Sequence, residues 1–108
     1  MKEVVIIIGG RGRQRNEYVG SELPGCAYFA GDFFYPKTDA KPLRRAFNGC
    51  ADGGVFAVGY AVLGWDECEA ILKCLGVRKA RVVEISGHGE GSFGVKCGMV
   101  FLSGGGSK

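Results

Sequence analysis

Arg11, Arg13 and Arg15 alternate with Gly12 and Gln14, directly after the apolar run of residues 4–8 and the pair Gly9-Gly10. A guanidinium offers a planar fork of donors that matches two oxygens of a phosphate or carboxylate. A basic turn that follows a strand is a place where α/β proteins hold phosphates. The spacing is not that of a P-loop, because no Gly-Lys-Ser/Thr follows. It is not the dinucleotide fingerprint either, because Arg15 stands where the third glycine belongs. A second set lies in residues 87–92, GHGEGS, which hold the single histidine. Successive glycines in a tight turn expose backbone N–H groups that can cradle an anion. The expected ligand-binding residues are therefore Arg11, Arg13, Arg15, His88, Gly89 and Gly91. The expected ligand is a nucleotide or an RNA phosphate.

Other chemistry is thinly supplied. The five cysteines include no CxxC pair, and one histidine is too few for a zinc site. No metal ligands, catalytic residues or cofactor are expected, and the reading leans away from an enzyme. Two alternatives stand beside anion binding. One is a protein-interaction module with no small-molecule ligand. The lesser one is a small hydrolase using His88 with a cysteine.

Three short stretches resemble known families. Ser86-Gly87-His88-Gly89 after a strand is similar to the His-Gly strand end of caspase-like cysteine peptidases. In that family the cysteine ends a following parallel strand, whereas here the next strand is expected to pair antiparallel, with Cys97 in its middle. Gly89-Glu90-Gly91-Ser92-Phe93-Gly94 resembles the glycine-rich loop of protein kinases, but the chain has no HRD or DFG tripeptide. Residues 68–91 are similar to part of the PII-type signalling proteins, in which a helix ending in Gly-Val leads through a strand to a long loop. That loop is not reproduced here, and no ligand site is carried over.

These candidates need a scaffold. With 108 residues the chain makes one domain, residues 1–103, followed by a flexible glycine-rich tail at 104–108. A hydrophobic content of 46% and a charged content of 23% are those of a globular protein. The net charge of +3 is modest for a dedicated nucleic-acid binder. Twenty glycines exceed twice the usual share of about 7%. The odd cysteine count and the lack of a signal peptide or a long apolar span imply reduced thiols, a cytoplasmic location and no membrane.

Hydrophobic periodicity places the elements. Residues 4–8 are a continuous β-branched run, and residues 55–63 lack polar alternation, so both read as buried strands, the second as the central one. The aromatic run 26–35 reads as a further strand. Leu43, Ala46, Phe47 and Cys50 give one helical stripe, with Thr38 or Asp39 as cap. Cys68, Ile71, Leu72 and Leu75 give another, with Asp66 and Glu69 spaced as a capping box and Gly76 as the stop. Residues 81–86 and 93–102 alternate as strands across a short glycine turn at 87–92, so they are expected to form a C-terminal hairpin. Residues 11–25 look least regular, since Gly20 and Pro24 interrupt any helix in 16–22.

The expected fold is therefore an α+β two-layer sandwich. It has a five-stranded mixed sheet, two short helices mainly on one face, and the hairpin. Two helices leave one face of an apolar sheet bare, so a homo-oligomer, a dimer first, is expected to cover it. The alternative is a three-layer fold in which residues 16–22 supply a third helix.

Overall fold

A computed structural model describes residues 1–31, 39–85, 89–96 and 99–103, with side chains described up to Ile85 except that of Trp65. The elements run β1 (Glu3–Ile8), α1 (Gly12–Glu22), β2 (Ala27–Ala30), α2 (Lys41–Gly49), β3 (Val55–Tyr60), α3 (Trp65–Leu75), β4 (Lys79–Glu84), β5 (Gly89–Lys96) and β6 (Met99–Ser103). The tail at 104–108 lies outside the described residues.

The expected fold is corrected. In place of a five-stranded mixed sheet with two helices, three helices pack on a four-stranded all-parallel sheet ordered β2-β3-β1-β4. β5 adds antiparallel to β4, and β6 antiparallel to β5. The expected C-terminal hairpin is not formed as read. Most of its turn, from residue 89 onward, is strand, and its second strand divides into β5 and β6 around residues 97–98. Gly89 and Gly91, which suggested a turn, lie instead within an extended strand paired with β4 on one side and β6 on the other.

The third helix, given to residues 16–22 only in the alternative three-layer reading, is α1, and it begins earlier, at Gly12. Its inward row is Arg15, Tyr18, Val19 and Leu23, spaced i, i+3, i+4, i+8. An arginine fills the first place of the buried stripe, so the stripe reads as polar. Gly20 does not break the helix, because it lies on the open side with nothing near its Cα substituent position. Leu23 closes the last turn through its N–H to the Val19 carbonyl at 3.1 Å, just before Pro24.

Chain direction decides which face each helix covers. From β1 the chain passes over β3 to reach β2, and then runs back through β3 to β4. Right-handed crossovers therefore put α1 on one face and α2 and α3 on the other. The packing agrees. Val4, Ile6, Phe56, Val58 and Val82 meet Leu43, Cys68, Ile71 and Leu72. On the opposite face Val5, Ile7, Ala57 and Val83 meet Tyr18, Val19 and Leu23. β1 is thus buried on both sides, as its unbroken β-branched sequence implies. The face that was expected to need a second copy of the chain is covered, across the parallel strands, by α1.

The caps shift by small steps. α3 starts from Gly64, and Glu67, not Glu69, returns its carboxylate to the Gly64 N–H at 3.0 Å. α2 starts from Ala40, while Asp39 accepts from the Lys41 N–H at 3.1 Å. Thr38 lies outside the described residues.

Candidate functional site

In an open parallel sheet, a crevice forms where neighbouring strands send their connections to opposite faces. Here those strands are β1, which leads to α1, and β3, which leads to α3. The turn at that point is Gly9-Gly10-Arg11. Gly9 and Gly10 sit at φ of 88° and 70°, a conformation that side chains rarely adopt. The Gly9 N–H donates to the Tyr60 carbonyl at 3.0 Å, which ties the turn to the end of β3.

Arg15 braces this turn from below. It is 1% exposed, and its Nη1 donates to the carbonyls of Gly9 at 2.9 Å and Gly10 at 2.8 Å. Its stem runs beside Gly59 of β3, where an added methyl group would lie 3.1 Å from Arg15 Cδ. The chain thus uses one of its three clustered arginines to build the loop.

The other two stay outside. Arg11 is exposed and is the N-cap of α1, with extended backbone. An arginine has no side-chain acceptor, so only the return half of a capping box forms: Gln14 Oε1 accepts from the Arg11 N–H at 2.7 Å. Arg13 is exposed and lies 3.4 Å from Glu17 one turn on. The first helical bond runs from the Arg15 N–H to the Arg11 carbonyl at 3.0 Å, so the N–H groups of Gly12, Arg13 and Gln14 have no intrahelical acceptor. α1 carries no acid in its first turn, whereas α3 carries Asp66 and Glu67 there.

The end of β4 meets the same turn. The Ile85 N–H donates to the Ile8 carbonyl at 2.9 Å, and a methyl group on Gly10 would lie 3.1 Å from Ile85 Cγ2. Ile85, just after β4, therefore lies beside the Gly9-Gly10 turn. Gly89 and Gly91 lie in β5, opposite Glu84 and Val82. His88 lies outside the described residues. Gly9, Gly10 and Gln14 were missed by the sequence reading. The sequence signal for the first two was a glycine pair at the end of a buried strand. Gln14 left none, because pattern reading put no helix there.

Three of the described thiols are held toward their protonated form. Burial pushes Cys68 from 9.0 up to about 12, helped by the nearby Glu67 charge. Burial also raises Cys26 and Cys74. A thiolate is the reactive form, so these shifts oppose attack on a substrate. No group of three metal-ligating side chains occurs among the described residues. Among them, no helix is long and apolar enough to cross a membrane.

Compared with protein-family models, with curated proteins and with solved structures, the chain matches none.

Proposed function

We propose that the chain is a small binding protein for a phosphate-bearing ligand, a nucleotide rather than an RNA strand. The ligand lies over the Gly9-Gly10-Arg11 turn at the carboxyl edge of the parallel sheet. Arg11 and Arg13 face its phosphate, together with the free N–H groups of Gly12, Arg13 and Gln14. Arg15 holds the turn in shape and does not touch the ligand.

One observation carries the reading. Arg11 and Arg13 sit at the positive end of α1, which carries no acid in its first turn, and only Arg13 has a carboxylate beside it among the described residues, Glu17 at 3.4 Å. A cation there costs about 0.3–1 kcal/mol, and an anion placed there gains by a similar amount. A bound phosphate turns that unfavourable cluster into a favourable one. The position agrees with it, because parallel sheets bind ligands where adjacent strands part. The modest net charge of +3 suits a small anion better than a long polyanion.

The test is a thermal-shift and calorimetric titration with ATP, GTP, inorganic phosphate and a short single-stranded RNA, each at low and at physiological salt. A nucleotide is expected to raise the melting temperature most at low salt, and Arg11→Glu/Arg13→Glu is expected to abolish the rise. The proposal fails if no phosphate compound stabilises the chain, or if the double variant responds as the parent does.

A further inference from the structure

The opposite edge of the sheet carries a second candidate site, independent of the first. An open cavity of about 790 Å³ lies where β1 and β4 begin. That volume falls in the usual range for small-molecule sites, about 300–1,000 Å³. Its apolar wall includes Val4, Phe47, Leu75, Val77 and Ala80. Its charged rim is mainly basic, with Lys2, Arg78, Lys79 and Arg81 against Glu3 and Asp52.

Basic residues at this edge have an ordinary explanation. Both α2 and α3 end here, and cations offset the negative pole of a helix. Those ends are, however, already served. Lys2 Nζ donates to the Phe47 carbonyl near the end of α2 and sits 4.3 Å from the Phe47 ring centre. At the end of α3 the Gly76 and Val77 N–H groups return to the Lys73 and Leu72 carbonyls at 3.2 and 3.1 Å. The acids are also engaged: Glu3 lies 3.4 Å from Arg81 Nε, and Asp52 lies 3.8 Å from the amino terminus. Arg78 and Lys79 remain, both exposed, and no carboxylate pairs with either among the described residues. Two uncommitted cations stand beside an apolar wall.

We infer that this cavity binds an amphipathic organic anion, an alkyl or aryl carboxylate. The apolar body lies against Val4, Leu75 and Val77, and the carboxylate lies at Arg78 and Lys79. An inorganic phosphate lacks the apolar body and does not bind here. A neutral alcohol of the same length lacks the charge and binds more weakly.

The test is a titration of the isotopically labelled full chain with octanoate, followed by amide chemical shifts, with 1-octanol and inorganic phosphate as matched probes. Octanoate is expected to give saturable shifts confined to the amides of residues 2–4 and 76–81. Octanol is expected to bind about tenfold more weakly or worse. Arg78→Glu/Lys79→Glu is expected to weaken octanoate by about tenfold or more without changing the melting temperature, because both side chains are exposed. Arg11→Glu/Arg13→Glu is expected to bind octanoate as the parent does, which separates this site from the phosphate site. The inference is overturned if octanoate gives no saturable shift, if octanol binds as tightly, or if the shifts centre on residues 9–15.

Discussion

Arg15 Nη1 donates to the Gly10 carbonyl at 2.8 Å, so a buried side chain from the first turn of α1 reaches back to hold the turn from which that helix starts. The cation thus bonds the carbonyls of both left-handed glycines. Replacing Arg15 with Met keeps most of the stem and removes the donors. A hydrogen bond to a charged group contributes about 1.5–3 kcal/mol, so Arg15→Met is expected to lower unfolding stability by about 2–3 kcal/mol. Arg11→Ala/Arg13→Ala removes exposed groups and is expected to stay within about 1 kcal/mol of the parent. Urea unfolding of the two variants checks the contrast. Equal losses would remove the structural distinction among the three arginines.

The same contact explains what could be read from the sequence. Residues 4–8 and 55–63 announced their strands because nothing polar interrupts them, and β1 and β3 do lie inside the sheet. The stripe Cys68, Ile71, Leu72 and Leu75 announced α3 in the same way. α1 was legible only as the alternative helix at 16–22 because its buried row opens with Arg15, and the partners that make an arginine tolerable there are carbonyls, which no side-chain pattern reveals. Without that helix one sheet face is bare, which is what led to the expectation of a second copy of the chain; α1 packs on that face. The basic cluster itself was legible, though Arg13 and Arg15 lie in α1 and not in a loop as expected. That its three arginines divide between building the loop and lining its outside was not, because helical phase decides it.

Cys68 gives a pH prediction whose direction follows from its burial. The thiol is 1% exposed, and its pKa rises from 9.0 to about 12 on folding. Below pH 9 both folded and unfolded chains keep the proton, so this group has no effect on stability. Between pH 9 and 12 the unfolded chain releases the proton and the folded chain keeps it, so stability falls as pH rises. The expected slope is up to about 1.4 kcal/mol per pH unit. Other groups titrate in that range, so the comparison is with Cys68→Ala, whose stability is expected to approach that of the parent as pH rises above 9. A constant gap between the two curves would refute the shift. Alkylation at neutral pH is likewise expected to reach Cys68 last among the described cysteines.

Two glycine-to-alanine changes are expected to have opposite signs. Gly20 lies within α1, has no positive φ, and has nothing within 4 Å of the added methyl group. Gly20→Ala is expected to raise stability by about 0.5–1 kcal/mol through helix propensity. Gly76 also has open space around it, but it closes α3 at φ 70°. Gly76→Ala is expected to lower stability by about 1 kcal/mol, because an alanine must take a left-handed conformation there. Thermal unfolding of the pair separates helix propensity from backbone strain, since neither methyl group meets a neighbour.

Gly59 tests how closely the site's support is packed. A methyl group there would collide with Tyr28 Oη, and would lie 3.0 Å from Tyr28 Cε1 and 3.1 Å from Arg15 Cδ. The backbone beneath is fixed inside the sheet, where Gly59 is paired with Ile7 on one side and Ala30 on the other. The side chains must therefore move, and Arg15 cannot move without loosening its bonds to Gly9 and Gly10. Gly59→Ala is expected to cost about 1–3 kcal/mol, the usual range for overpacking. Tyr28→Phe removes the closest atom, so it is expected to cost less in the Gly59→Ala background than in the parent. A double-mutant cycle by urea unfolding measures that difference as a coupling of about 0.5 kcal/mol or more. If the two changes are additive, the strain runs through Arg15 instead. In that case Gly59→Ala should also weaken nucleotide binding at the turn that Arg15 supports, while Tyr28→Phe leaves binding unchanged.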